Sequence, residues 1–217
     1  MSDTDFKKIV YFVRHGESEG NAAPVFQAPD SPLNAKGKEQ AISIAQRVAN
    51  LSFDTLISSP WPRTRETAQA IAKTTNKTPH YEELFVERIK PTRLNGKPYS
   101  DEEANALWKK WDKSLHTSGL RVEDGENFDD IIARADKALD FLKNRPEKSI
   151  LVVGHGFFMK TIFARVLLDT SLSGDNFRNF QARAKTENTG LSALIYDKVL
   201  ENFSWRMWIY NDHAHLG

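Results

Sequence analysis

Residues 8–18 read KIVYFVRHGES, and this stretch gives the first indication of the fold. Its first part, residues 8–13, is a short, continuous apolar run, which is typical of a strand buried on both faces of a sheet. Arg14 and His15 follow the run directly. Because open α/β sheets bind ligands at the carboxyl ends of their strands, we expect these two side chains to lie in a binding site.

Strand and helix patterns alternate along the rest of the chain. Apolar residues recur either in short runs or at the three- and four-residue spacing of an amphipathic helix. The predicted helices are 37–51, one that begins at Pro62, 128–142 and 159–167, and the predicted strands are 8–13, 53–57, 149–153, 191–196 and 203–210. This alternation predicts a three-layer α/β/α sandwich with a mostly parallel central sheet.

The segment 88–125 departs from this alternation. It is rich in proline and charge, and it holds one helical pattern, near residues 101–115. We expect a small inserted lobe or lid at about 88–125 in a single catalytic domain that spans residues 1–217. Trp108 and Trp111 lie three residues apart on the predicted helix, and we expect them to attach the lobe to the sandwich rather than to face a substrate.

The composition excludes several classes of function. The 217 residues contain no cysteine, which excludes a disulfide scaffold, a thiolate zinc site, an iron–sulfur cluster and a cysteine nucleophile. Lys and Arg total 30 and Asp and Glu 29, and the net charge of +1 argues against a nucleic-acid partner. The apolar run is too short for a secretory segment or a membrane span. We therefore expect a cytoplasmic protein with no membrane partner, and the sequence does not indicate its oligomeric state.

Three predicted strand ends carry residues that suit a phosphate. Arg14 and His15 follow the first strand, Arg63 lies in the first turn of the helix after the second, and His155 follows the strand 149–153. Arginine forks match the oxygens of a phosphoryl group at two points. Because no acid stands at these strand ends, the combination predicts a phosphate pocket.

Two further residues are expected to bind the substrate. Gly156 stands where the helix after His155 begins, and a helix start offers free backbone N–H groups and the positive end of the helix dipole. Asn21 follows the first motif closely and can add another hydrogen-bond donor.

In this order the motifs resemble the histidine phosphatase superfamily, which includes the cofactor-dependent phosphoglycerate mutases. The resemblance covers nearly the whole chain. It rests on RHGE at 14–17 with Asn21, PLNAKG at 32–37 with QA at 40–41, SSP at 58–60 through Arg63 to TA at 67–68, LFVE at 84–87 and GHG at 154–156. It implies a histidine acid-type phosphatase that needs neither a metal ion nor a cofactor. Its expected partner is a small phosphorylated substrate, either a sugar phosphate or another phosphomonoester, with a phosphoprotein as a further option.

The resemblance also gives each matching residue a role. His15 is the nucleophile that takes the phosphoryl group, and Glu87 protonates the leaving oxygen and then activates water. Arg14, Arg63 and His155 hold the phosphoryl oxygens and neutralise the charge of the transition state. Because catalysis needs a neutral His15 and a protonated Glu87, we expect activity to peak on the mildly acidic side of neutral.

Several alternatives stay open. Glu82 and Glu83 lie close to Glu87 and are alternative proton donors. Mutase-type phosphoryl transfer and a catalytically silent phosphate-binding module are alternative functions. Mutases of this superfamily usually carry Trp where this chain has Gly20, and this difference favours hydrolysis.

Two other patterns bear on function. The stretch 16–20 matches GxSxG, the nucleophile elbow of serine hydrolases, but three prolines in 21–32 argue against the helix that an elbow requires after Ser18. Basic residues near the expected rim of the pocket either favour substrates with extra negative charge or form a plain solvated face. They are Arg88, Lys90, Arg93 and Lys97.

Overall fold

The computed structural model describes residues 7–200 and 203–217, and a six-stranded sheet lies at its centre. The strands are β1 (Lys7–Arg14), β2 (Thr55–Ser58), β3 (Pro79–Tyr81), β4 (Ser149–Gly154), β5 (Leu191–Asp197) and β6 (Trp205–Asp212). They lie in the order β3-β2-β4-β1-β5-β6. The first four strands in this order are parallel, whereas β5 is antiparallel to both of its neighbours.

Helices cover both faces of the sheet. They are α1 (Glu19–Ala22), α2 (Ala35–Val48), α3 (Pro62–Thr75), α4 (Glu102–Ser114), α5 (Phe128–Asn144), α6 (Gly156–Leu168) and α7 (Gly174–Arg183). Helices α2 and α3 pack on one face, and α5, α6 and α7 contribute to the core on the other. The predicted three-layer α/β/α sandwich with a mostly parallel sheet is confirmed. Among the described residues, no helix is both long and apolar enough to cross a membrane.

Strand β1 connects the two cores. Val10 and Phe12 belong to the cluster beneath α5 and α6, and Tyr11 and Val13 belong to the cluster beneath α2 and α3. Side chains alternate between the faces of a strand, so a strand with helices on both faces needs apolar residues throughout. This is why the opening run of the sequence predicted the layer order correctly.

Three elements have no counterpart among the predictions. Strand β3 is only three residues long and begins at a proline. Helix α7 is mostly polar and buries only Phe177 and Gln181, so it lacks an apolar stripe. Helix α1 does follow Ser18, contrary to the expectation for 21–32, but it is only four residues long. Strand β6 also begins two residues later than the predicted 203–210.

The segment 88–125 carries α4 and a small apolar cluster of its own. Leu94, Trp111 and Leu115 are fully buried there, together with Ala104 and Phe26. Phe26 lies outside the segment and exchanges backbone hydrogen bonds with residues 96 and 97. The inserted lobe at 88–125 stays a prediction, and the structure adds the loop around Phe26 as its packing partner.

Lys8 is a fully buried cation within the run that the sequence presents as apolar. Its Nζ donates to the carbonyls of Leu142, Lys143 and Arg145 at 2.6, 3.0 and 2.6 Å. These carbonyls lie around the end of α5, where a helix has no N–H groups left to satisfy them. Lys8 therefore ties β1 to the C-terminal end of α5.

Replacing Lys8 by methionine is expected to lower the free energy of unfolding by about 2–3 kcal/mol, because buried carbonyls lose a charged donor. Denaturant unfolding measures the change. The matched control is Lys7→Met, since Lys7 is exposed and its Nζ lies 3.9 Å from Asp197. Such a surface pair contributes less than about 1 kcal/mol. Equal losses in the two variants would contradict the assignment.

Candidate active site

The candidate site is a cavity of about 700 Å³ at the carboxyl ends of the parallel strands. Arg14 at the end of β1 lies opposite Gly154 at the end of β4, and β2 ends alongside. Arg14, Arg63, Glu87, Asn21 and Gly156 all line the cavity. The structure thus brings together five of the seven residues that the sequence assigned to a site.

His15 is the sixth of these residues and is buried beside the cavity wall, with 2% of its surface exposed. Its Nδ1 lies 2.6 Å from the carbonyl oxygen of Gly16, and its Nε2 lies 3.3 Å from Nε of Arg63. A carbonyl can only accept and a guanidinium can only donate. We therefore assign the ring proton to Nδ1, which leaves the lone pair on Nε2 facing Arg63.

The surroundings of His15 keep its ring neutral. Burial lowers the pKa of His15 well below its usual 6.5, and the positive charges of Arg63 and Arg14 lower it further. A neutral imidazole with its lone pair on Nε2 is the form that can act as a nucleophile.

His155, the seventh predicted residue, is fully buried beside His15, with 5.2 Å between the ring centroids. Its Nε2 lies 2.9 Å from the Ser59 hydroxyl, and its Nδ1 has no hydrogen-bond partner within residues 7–200 and 203–217. Burial lowers the pKa of His155 well below 6.5, and Arg63 adds to the effect. A buried polar atom without a partner is uncommon in a folded protein and calls for a functional explanation.

Each of the two arginines is held by a carbonyl from a different wall of the cavity. Arg14 Nη1 donates to the carbonyl of Thr186 at 2.6 Å, and Arg63 Nη1 donates to that of Pro29 at 3.1 Å. Burial lowers the pKa of Arg63 to about 10, which leaves it charged at neutral pH. Arg14 Nε is buried without a partner in the described part of the chain. Both guanidinium groups thus keep N–H donors for an anion.

Glu87 is the acid that reaches the cavity. Its carboxylate accepts hydrogen bonds from the backbone N–H groups of Phe157 and Phe158 at 3.2 and 2.9 Å, at the start of α6. Glu82 instead caps the short turn at Glu83–Phe85, and Glu83 is exposed. The helix start that the sequence offered to phosphate therefore already binds a carboxylate of the chain itself.

Asn21 and Gly156 contribute in different ways. The Asn21 side-chain oxygen accepts hydrogen bonds from Ser18, and its amide nitrogen donates to Oε1 of Gln27 at 3.4 Å. Ser18 is fully buried and caps α1, which gives no support to a nucleophile elbow. A Cβ at Gly156 would lie 3.1 Å from Nε of Arg14, so glycine lets the arginine pass close to the helix start.

The basic lining of the cavity differs from the predicted rim. Arg88 and Lys90 line it, but Arg93 and Lys97 do not, because they pair with Glu123 and Asp101 elsewhere on the segment. Three further cations line the cavity and were missed by the sequence reasoning: Lys160, Arg183 and Lys185. The sequence did give an indication of Lys160, because it is a lone charged residue within the apolar first turns of α6.

Arg88 lies in an aromatic cage at the cavity wall. Its guanidinium carbon is 4.2 Å from the ring centroid of Phe157, 5.0 Å from that of Trp108 and 5.3 Å from that of Trp111. Both tryptophans line the cavity and also pack in the apolar cluster around Leu94, and the expectation that they attach the lobe stays a prediction. Within residues 7–200 and 203–217, the Arg88 guanidinium makes no ion pair or hydrogen bond.

The described residues contain no group of three or more His, Asp or Glu side chains that could hold a metal ion.

Two lysines that line the cavity have lowered pKa values. Burial lowers the pKa of both Lys90 and Lys160 to about 8, because a lysine that leaves water favours its neutral form.

Comparison with known proteins finds a family that matches most of the chain. The sequence model of the histidine phosphatase superfamily (branch 1) matches residues 10–207. A probable phosphoglycerate mutase GpmB from Escherichia coli O1:K1 / APEC is 32% identical over 218 residues, which covers 95% of this chain and 94% of that protein.

Solved structures share the fold. A putative alpha-ribazole-5'-P phosphatase from Escherichia coli K-12 superimposes with a TM-score of 0.78 at 18% identity, over 94% of this chain and 96% of that one. A phosphoserine phosphatase from Entamoeba histolytica in complex with 3-phosphoglyceric acid superimposes with a TM-score of 0.75 at 25% identity, over 97% and 100% of the two chains.

At pH 6.5 the ring of His15 is expected to be uncharged, with its proton on Nδ1, because burial and two guanidinium groups lower its pKa well below that value. Nitrogen-15 NMR of histidine-labelled protein without phosphate measures both charge and tautomer, and a His15→Gln variant assigns the signal. A doubly protonated ring, or a proton on Nε2, would contradict the assignment.

Proposed function

The chain belongs to the histidine phosphatase superfamily, and from that membership we propose that it is a phosphomonoester hydrolase acting through a phosphohistidine intermediate. One observation carries the proposal. The unprotonated Nε2 of His15 lies beside Arg63, at a cavity whose described lining also holds the half-buried Arg14 and the acid Glu87. This arrangement provides a nucleophile, an anion clamp and a proton donor together.

In the first step His15 Nε2 attacks phosphorus. The N–P bond forms as the bond from phosphorus to the leaving oxygen breaks, and Glu87 gives that oxygen a proton. Arg14 and Arg63 bind the oxygens of the transferred phosphoryl group through guanidinium N–H groups that make no hydrogen bond within the described chain. The unpartnered Nδ1 of His155 supports a role for this ring in the same clamp.

In the second step water attacks phosphorus on the phosphorylated ring. The Glu87 carboxylate takes a proton from that water, the N–P bond breaks, and inorganic phosphate leaves with His15 restored. The two guanidinium groups supply the positive charge that balances the transferred group in both steps. The mechanism therefore runs without a metal ion or an organic cofactor.

The substrate is a small phosphomonoester with a second anionic group. Among the described residues, five cations besides the two arginines of the clamp line the cavity, and Glu87 is the one acidic residue there. Of the five, Lys185 pairs with Glu187. Arg88 is the most telling of them, because aromatic rings hold it without a carboxylate partner in the described chain. The phosphoserine phosphatase with bound 3-phosphoglyceric acid offers a parallel, since phosphoserine and 3-phosphoglyceric acid each carry a carboxylate besides a phosphate.

Mutase-type transfer is the second candidate, because the relative named above is a probable phosphoglycerate mutase. The position of Gly20 favours hydrolysis. A Cβ there would lie 2.6 Å from Cγ of Gln27, so the tryptophan usual in mutases would require the Gln27 side chain to move. Incubation with 3-phosphoglycerate and bisphosphoglycerate distinguishes the two: hydrolysis releases inorganic phosphate, and transfer forms 2-phosphoglycerate.

We place the reaction in one domain, residues 1–217, with the lobe at 88–125 beside the cavity. The lobe contributes to the cavity lining Arg88, Lys90, Tyr99, Trp108 and Trp111. We also propose a cytoplasmic location, which cell fractionation tests.

Substitution of the nucleophile tests the proposal directly. Wild type is expected to hydrolyse an aryl phosphate between about pH 5 and pH 8, and His15→Ala is expected to lose at least about a thousandfold in kcat because no other group can carry the phosphoryl. The exposed His80→Ala is the matched control and keeps its activity. Full activity in His15→Ala would overturn the mechanism, and an inactive wild type would favour a silent binding module.

Arg88 is expected to select substrates with a second anion. We expect wild type to prefer 3-phosphoglycerate to glycerol 3-phosphate, which lacks the carboxylate. Arg88→Met is expected to reduce the ratio of the two kcat/KM values by about 10- to 100-fold, the effect of one hydrogen bond to a charged group. Arg93→Met is the control, since Arg93 pairs with Glu123. An unchanged ratio in Arg88→Met would refute the second-anion subsite.

A further inference from the structure

Arg134 and Glu126 form an ion pair that none of the roles above uses. Arg134 Nε lies 2.7 Å from Glu126 Oε1, and Nη2 lies 2.8 Å from Oε2. The two side chains are only 12% and 11% exposed, and neither lines the cavity. A buried pair is weak support for stability by itself, so its retention calls for another reason.

The guanidinium of Arg134 holds the backbone that carries Glu87. Its Nη1 donates to the carbonyls of Leu84 and Val86 at 3.1 and 2.8 Å, and its Nη2 donates to the carbonyl of Glu87 itself at 3.3 Å. The short turn at Glu83–Phe85 ends before Glu87, so Glu87 itself lies outside every helix and strand of the described chain. Arg134 supplies that support from α5.

Glu126 fixes the other side of the same segment. Its Oε2 accepts a hydrogen bond from the N–H of Ile89 at 2.8 Å, and its backbone N–H donates to the carbonyl of Ile89 at 2.8 Å. Its carbonyl accepts from Nε1 of Trp111 at 2.8 Å. The ion pair therefore connects Glu87 on one side to the lobe helix α4 on the other.

Arg134 also contacts Phe158, the residue whose backbone N–H binds the Glu87 carboxylate. Its guanidinium carbon lies 3.8 Å from the ring centroid of Phe158, and the N–H of Phe158 donates to the Glu87 carboxylate at 2.9 Å. One arginine thus contacts both the backbone of the proton donor and the residue that binds its carboxylate.

We propose that Arg134, held by Glu126, is the positioning residue that fixes Glu87 as proton donor to the leaving oxygen. The inference rests on the proposed role of Glu87. It predicts a pattern that simple structural support does not produce. A displaced proton donor slows the departure of an alkoxide, a strong base, far more than that of a nitrophenolate, a weak one.

The experiment compares kcat/KM for glycerol 3-phosphate and p-nitrophenyl phosphate in Arg134→Gln, with Glu87→Gln as reference. Arg134→Gln is expected to lose about 100-fold on the alkyl ester and less than about threefold on the aryl ester, mainly in kcat. Arg134→Lys keeps the charge and one donor, so an intermediate ratio is expected. Arg145→Gln is the matched control. Arg145 forms a two-point pair with Glu147 near the end of α5, and its loss leaves the ratio unchanged.

The outcomes separate this inference from the proposed function. A selective alkyl loss in Glu87→Gln with equal losses on both esters in Arg134→Gln makes Arg134 structural only, and overturns the inference alone. No selective loss in Glu87→Gln removes the proposed role of Glu87 and this inference with it. If Arg134→Gln does not fold, Glu126→Gln decides: a selective alkyl loss supports the inference, and an unchanged ratio overturns it.

Discussion

Arg63 Nε donates to Nε2 of His15, and this contact imposes a constraint on everything around it. A guanidinium cannot accept a hydrogen bond, so the ring must present a lone pair and must stay neutral. A second cation, the half-buried Arg14, lies close enough to lower the pKa of the ring further. Two positive charges withdrawn from water beside a neutral imidazole are tolerable only where other polar groups of the protein compensate them.

That compensation shapes the walls of the cavity. The carbonyls of Pro29 and Thr186 accept hydrogen bonds from the two arginines, and Glu87 lies close enough to raise the pKa of Arg63. Glu87 in turn depends on the first turn of α6 and on Arg134 from α5. We propose that phosphoryl chemistry takes place at the carboxyl ends of the strands, and that the lobe and the region after α7 select the substrate.

The sequence predicted what local patterns encode. The apolar run before Arg14 identified a central strand, and the polar residues after each strand met at one edge because parallel strands end together. It could not predict contacts between distant segments. Lys8 counted as part of an apolar run, although it caps a helix more than 130 residues away. Arg93 and Arg88 carry the same charge, and only their partners in space distinguish a surface ion pair from a cavity wall.

The proposed mechanism requires a covalent bond between phosphorus and His15, and this phosphohistidine can be trapped. Wild-type protein mixed with a phosphorus-32-labelled phosphomonoester and quenched in alkali within one turnover is expected to carry label that survives base and is lost in acid. Digestion is expected to place the label on the peptide that contains His15, and His15→Ala is expected to carry none. Label on Ser18, acid-stable label, or equal labelling of His15→Ala would contradict the account.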